Sequence, residues 1–133
     1  MADIGGAAPE HRELSRLENA IEKVVVSDRI TADQTDPGRD ITRIVPRADA
    51  QEQIAELKRR PGRDILVFGS RTLWNHLLGA GLVDELQLTI GSVVLGAGTP
   101  AFGPAPPAPL RLLGTQTFAD SDNVLVRYAT DQA

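Results

Sequence analysis

The 133 residues include no cysteine. That absence excludes a disulfide framework, a thiolate zinc site, an iron–sulfur cluster and a cysteine nucleophile. Histidine is nearly as scarce. His11 and His76 are the only two, too separated for a metal cluster, and no Gly-x-Ser-x-Gly nucleophile elbow occurs. Both read as structural or surface residues, so no metal is expected. A positive field is lacking too: 14 Lys+Arg stand against 18 Asp+Glu, a net charge of -4, which argues against nucleic acid as a partner. No apolar run approaches the roughly 20 residues that span a bilayer. Residues 1–8 also lack the basic stretch and apolar core of an export signal, so a soluble cytoplasmic protein away from membranes is expected.

With 41% hydrophobic and 24% charged residues, the chain has the composition of a single globular domain large enough to bury a core without crosslinks. Residues 1–8, small and Gly-rich, read as a flexible N-terminus, and residues 9–133 as one domain. Pro9 suits the first turn of a helix over 9–21, on which Leu14, Leu17 and Ile21 share a face. Lys23-Val-Val-Val-Ser27 has the β-branched continuity of a strand buried on both faces. After turn residues around Asp36-Pro37-Gly38, Ile41–Val45 reads as a second strand stopped by Pro46. A helix follows, with Asp49 as cap, Glu52 three residues on, and Ala50, Ile54 and Leu57 on one face. Lys58-Arg59-Arg60 and Pro61-Gly62 end it.

Asp64–Phe68 is read as another buried strand, turning through Gly69-Ser70 into a helix that carries Leu73, Trp74, Leu77 and Leu78. Asp84–Ile90 alternates like a strand with one wetter face, which Val93–Leu95 would extend. Residues 96–109 form a Gly/Pro-rich loop. Leu110–Phe118 and Asn123–Ala129 close the chain as an antiparallel hairpin. Strands alternating with helices predict an α/β fold: a mostly parallel sheet with helices on both faces and a C-terminal antiparallel hairpin.

Ligands of such sheets bind beyond the carboxyl ends of the strands. Gly69-Ser70-Arg71-Thr72, between strand and helix, offers free backbone N–H groups, two hydroxyls and a guanidinium suited to phosphate. An ordinary strand-to-helix turn has the same composition. Ser27-Asp28-Arg29 places a hydroxyl and a guanidinium after the first strand, where they would clasp a second phosphate. Asp28 opposes that reading, and a plain polar turn is the alternative. Gly96-Ala97-Gly98 lacks the following helix that a dinucleotide fingerprint needs, and reads as turn. Asp84 and Glu85 are candidate acids, but adjacent strand residues point to opposite faces, so one would order the turn and the other face water. Trp74 reads as core.

Three stretches in order, Asp64-Ile-Leu-Val-Phe-Gly-Ser70, Gly81-Leu-Val-Asp-Glu-Leu86 and Val93-Val-Leu-Gly-Ala-Gly98 with Phe102 beyond, resemble the dihydrofolate reductase-like family. They resemble most the C-terminal reductase domain of the bifunctional riboflavin-biosynthesis deaminase–reductase. With Lys23–Ser27 and the preceding helix, the resemblance covers roughly residues 10 to 129. It implies an NADPH-dependent reductase passing hydride to a pterin- or aminouracil-like small-molecule substrate. It also implies that Gly69, Ser70, Arg71 and Thr72 receive the cofactor pyrophosphate, and Ser27 and Arg29 the adenosine 2′-phosphate. Family domains carry a further N-terminal stretch with a strand in mid-sheet, which residues 1–8 do not supply. A homodimer covering the open edges is therefore expected. A catalytically degenerate nucleotide-binding or dimerisation module of the same fold is the alternative, and a ligand-free interaction module a third.

Overall fold

The computed structural model describes residues 8–104 and 108–130. The chain divides into two compact units, 1–53 and 54–133. The flexible terminus expected over 1–8 lies, but for Ala8, outside the described residues.

In the first unit, helix α1 spans Pro9–Asn19, with proline in its first turn as expected and no side-chain cap, since Ala8 at the N-cap has no acceptor. None of its residues is buried, and Leu14, Leu17 and the following Ile21 are all exposed. Strands β1 (Lys23–Val26) and β2 (Thr42–Val45) pair in parallel, in a register that sets Val26 opposite Val45. β1 is half-buried along its length rather than enclosed on both faces. Between the strands lie two short 3-10 turns, Ala32–Thr35 and Arg39–Ile41. The first is closed by reciprocal Thr31 and Gln34 bonds. Pro46 ends β2, and a third 3-10 turn, Arg47–Asp49, leads into helix α2 (Ala50–Arg59). The division between the units falls within α2; Ala50, 1% exposed, and Ile54 are buried, and Leu57 of the expected face is half-buried.

In the second unit, helix α3 (Arg71–Gly79) buries Leu77. It ends in a paired-carbonyl motif: the Gly81 N–H donates to Leu78 O at 3.1 Å and the Leu82 N–H to Leu77 O at 2.9 Å. Gly81 takes the left-handed φ of 72° that this ending requires. Strands β3 (Glu85–Ile90), β4 (Arg111–Phe118) and β5 (Ser121–Ala129) form an antiparallel sheet in the order β3–β5–β4. The expected terminal hairpin is β4–β5, with a register shift between Leu112 and Gly114. Leu86, Val126 and Ala129 are the sheet's buried apolar residues.

The fold is thus α/β, but its sheet is not mostly parallel. Parallel pairing is confined to β1–β2, and the larger sheet is antiparallel. Asp64–Phe68 is not a strand: it pairs with no neighbour among the described residues, and Leu66 and Phe68 are 82% and 90% exposed. A run of β-branched and large apolar side chains suits a pleated, half-buried surface but brings no partner backbone with it. Val93–Leu95 likewise leaves the sheet instead of extending β3, with Val94 97% exposed. Among the described residues, no helix is long and apolar enough to cross a membrane.

Candidate functional site

In the first unit, parallel pairing brings the carboxyl ends of β1 and β2 to one edge, so Ser27 and the residues after Val45 emerge together. The Ser27 N–H donates to Val45 O at 3.0 Å. Its hydroxyl oxygen accepts from the N–H groups of Arg29 and Ile30, each at 3.2 Å, which closes a tight turn. The Asp28 carboxylate accepts from the backbone N–H of Arg47 at 2.9 Å and lies 3.8 Å from the Arg47 guanidinium. Arg47 therefore offsets the one acidic group in this turn. The Arg29 guanidinium has no hydrogen-bond or ionic partner among the described residues. The edge consequently carries two guanidiniums, one hydroxyl and one carboxylate.

Arg47 did not stand out in the sequence. Its signal was position: it follows a second parallel strand just as Asp28 and Arg29 follow the first.

In the second unit, Gly69 and Ser70 both take left-handed backbone, with φ of 66° and 50°. Such a conformation is rare for serine and is maintained by its surroundings. Ser70 precedes α3 but lacks the extended φ/ψ of an N-cap, and its side chain caps nothing. The first helical bond runs from the Trp74 N–H to Ser70 O at 3.1 Å. The N–H groups of Arg71, Thr72 and Leu73 thus lack helical acceptors, at the positive end of the helix dipole. A Cβ placed on Gly69 would meet nothing within 4 Å, so the space beside the turn at that residue is open.

Arg71 reaches sideways. Its Nε–H donates to Pro100 O and its Nη2 to Phe102 O, the latter at 3.2 Å. One turn along the helix, Asn75 donates to Ala101 O at 2.9 Å and accepts the Gly103 N–H at 2.7 Å. Trp74 meets Phe102 edge to face, with ring centroids 5.6 Å apart. The first turn of α3 and the 100–103 loop are thereby one assembly. Arg71 has no carboxylate partner among the described residues, so its charge stays uncompensated.

The candidate acids are both engaged. Asp84 pairs with Lys58 at 2.7 Å, and Lys58 also donates to Leu82 O. Glu85 lies diagonally across the sheet from Arg127, 2.8 Å away, and accepts from Gln87 at 3.0 Å. The Arg127 guanidinium, and secondarily the Gln87 amide, hold the Glu85 carboxyl below the ordinary glutamate range. At neutral pH it is ionised, accepts hydrogen bonds from these N–H donors and has no proton to give. Among the described residues, no cluster of His, Asp or Glu could hold a metal.

Residues 7–125 match the RibD C-terminal domain. The chain belongs to that family. Two solved structures share the fold. A protein assigned to riboflavin biosynthesis from Shewanella sp. PV-4 superposes with a TM-score of 0.61 at 15% identity, over 97% of this chain and 83% of that one. A pyrimidine reductase-like protein from Corynebacterium diphtheriae superposes with a TM-score of 0.54 at 20% identity, over 80% of this chain and 48% of that one. The uncharacterized protein YyaP of Bacillus subtilis is 39% identical over 69 residues. Those residues are 51% of this chain and 37% of YyaP, so the match spans little more than a third of that relative.

Proposed function

We propose that this RibD C-terminal-like chain is an NADPH-dependent reductase domain that passes hydride to a pterin- or aminouracil-like small molecule. The observation that carries the reading is the turn at α3. Three backbone N–H groups without helical acceptors, the Ser70 and Thr72 hydroxyls and an uncompensated guanidinium offer donors, and no carboxylate, to a pyrophosphate. The Ser27–Arg29 turn, with Asp28 offset by Arg47, supplies groups for the adenosine 2′-phosphate. In this reading the cofactor supplies the hydride, and the chain's residues bind and orient it. We further propose that the working species is a homodimer in which a second copy covers Asp64–Phe68.

Calorimetric titration with NADPH, NADH and adenosine 2′,5′-bisphosphate tests the cofactor assignment. Binding of the first and third, with NADH much weaker, is expected. No binding by any of the three refutes it. The engagement of Asp84 and Glu85 in ion pairs favours a second reading, a nucleotide-binding member without turnover. NADPH oxidation that depends on an added pterin or aminouracil would exclude that alternative.

A further inference from the structure

The bonds around Arg71 run in a chain with a direction. Asn75 grips the loop at both ends of one peptide stretch, through Ala101 O and the Gly103 N–H. The loop so fixed offers two carbonyls, of Pro100 and Phe102, to the Arg71 guanidinium. Carbonyls are dipoles and not charges, so they orient the guanidinium without neutralising it. Arg71 is also the first residue of α3, whose N-terminal amides lack helical acceptors. A long cationic side chain normally loses rotamer freedom when it captures a phosphate, and a side chain already held has less to lose.

We propose that Asn75 and the Pro100–Gly103 loop are positioning elements for phosphate recognition, acting through Arg71. The proposal rests on the cofactor reading above and adds residues that lie outside the phosphate-binding turn. Asn75 holds the loop, the loop holds the guanidinium, and the guanidinium stands preorganised beside three free amides. Trp74 is the chain's only tryptophan, and its contact with Phe102 makes its emission a direct report on whether the loop is docked.

The test uses the full chain, with NADPH affinity from calorimetry and Trp74 emission read in the absence of ligand. Asn75→Ala should red-shift the emission and weaken NADPH about tenfold, the worth of one or two ordinary hydrogen bonds. Phe102→Ala, in an exposed loop where folding is least at risk, should weaken NADPH in the same direction. Arg71→Lys should weaken it as well. The Arg71→Lys/Asn75→Ala double variant should bind scarcely more weakly than the poorer single, because both act through one group. A shifted emission in Asn75→Ala with unchanged affinity overturns the proposal while the cofactor reading stands. Additive losses in the double variant overturn it too, since Arg71 would then act independently of the loop. Failure of the unaltered protein to bind NADPH overturns the cofactor reading itself and the positioning role with it.

Discussion

Replacing Ser70 with glycine should make the protein more stable and a poorer binder of nucleotide. Ser70 sits at φ 50° and ψ 53°, and left-handed backbone costs an L-residue about 1–2 kcal/mol. Glycine escapes that cost but loses roughly 0.5–1 kcal/mol to the greater freedom of its unfolded chain. Substitution at an N-cap usually sacrifices a further hydrogen bond, but the Ser70 side chain makes no cap bond. The net expectation for Ser70→Gly is a gain of about 0.5–1 kcal/mol, or a rise in Tm of about 2–4 °C for a chain of this length. Ser70→Ala keeps the strain and loses no cap, so its Tm should move by less than about 1 °C. Differential scanning fluorimetry on the three proteins, followed by NADPH titration, gives both readouts. Ser70→Gly should also bind NADPH more weakly, having lost a hydroxyl donor. A lower Tm in Ser70→Gly would refute the reasoning, because it would mean that the hydroxyl holds something in the folded chain.

Three other outcomes are expected. Arg29→Ala should reduce the preference for NADPH over NADH by about tenfold or more, in line with loss of a charge-assisted phosphate contact; an unchanged ratio of the two dissociation constants would remove Arg29 from the site. Glu85→Gln should leave turnover unaltered and flatten the acid limb of the stability curve. The folded-state Glu85 carboxyl lies below its unfolded value near 4.5, so its contribution is present above that pH and lost as pH falls through the folded value. Denaturant midpoints of the two proteins should therefore differ at pH 7 and draw together as the pH falls below 4.5; a constant gap would contradict the Arg127 pairing. Phe68→Lys should convert a dimer of 14.3 kDa subunits into monomer in light scattering after size exclusion; a monomeric parent protein would refute the proposed homodimer.

The sequence declared its helices more plainly than its strand partners. Pro9, the Ala50/Ile54 spacing and the Gly79–Gly81 ending are local signals, and α1, α2 and α3 follow them closely. Asp64–Phe68 shows the opposite case. Its apolar run marks a segment that suits a sheet, but pairing is a property of two segments, and the second is not written in the first. The same holds at the candidate site. Gly69–Thr72 could be singled out because a glycine-serine turn opening a helix is a local pattern, although the strand expected before it did not form. The offset of Asp28 by Arg47 depends on parallel register across 19 residues, and the capture of Arg71 by Pro100 and Phe102 on a loop docking some 30 residues away. Neither has a signature in the neighbouring sequence.

The open run at Asp64–Phe68 also bears on the life of the protein in a cell. Five residues outside any helix or strand, with Ile65, Leu66 and Phe68 exposed, are the kind of segment that chaperones and proteases inspect. If association is what covers it, the folded population follows mass action: scarce copies are left uncovered and cleared, and abundant ones protect each other. The chain would then set its own minimum working concentration. Gene dosage would change its steady-state amount more than proportionally, and heavy overproduction at a temperature that loosens the covering would favour aggregates over folded protein.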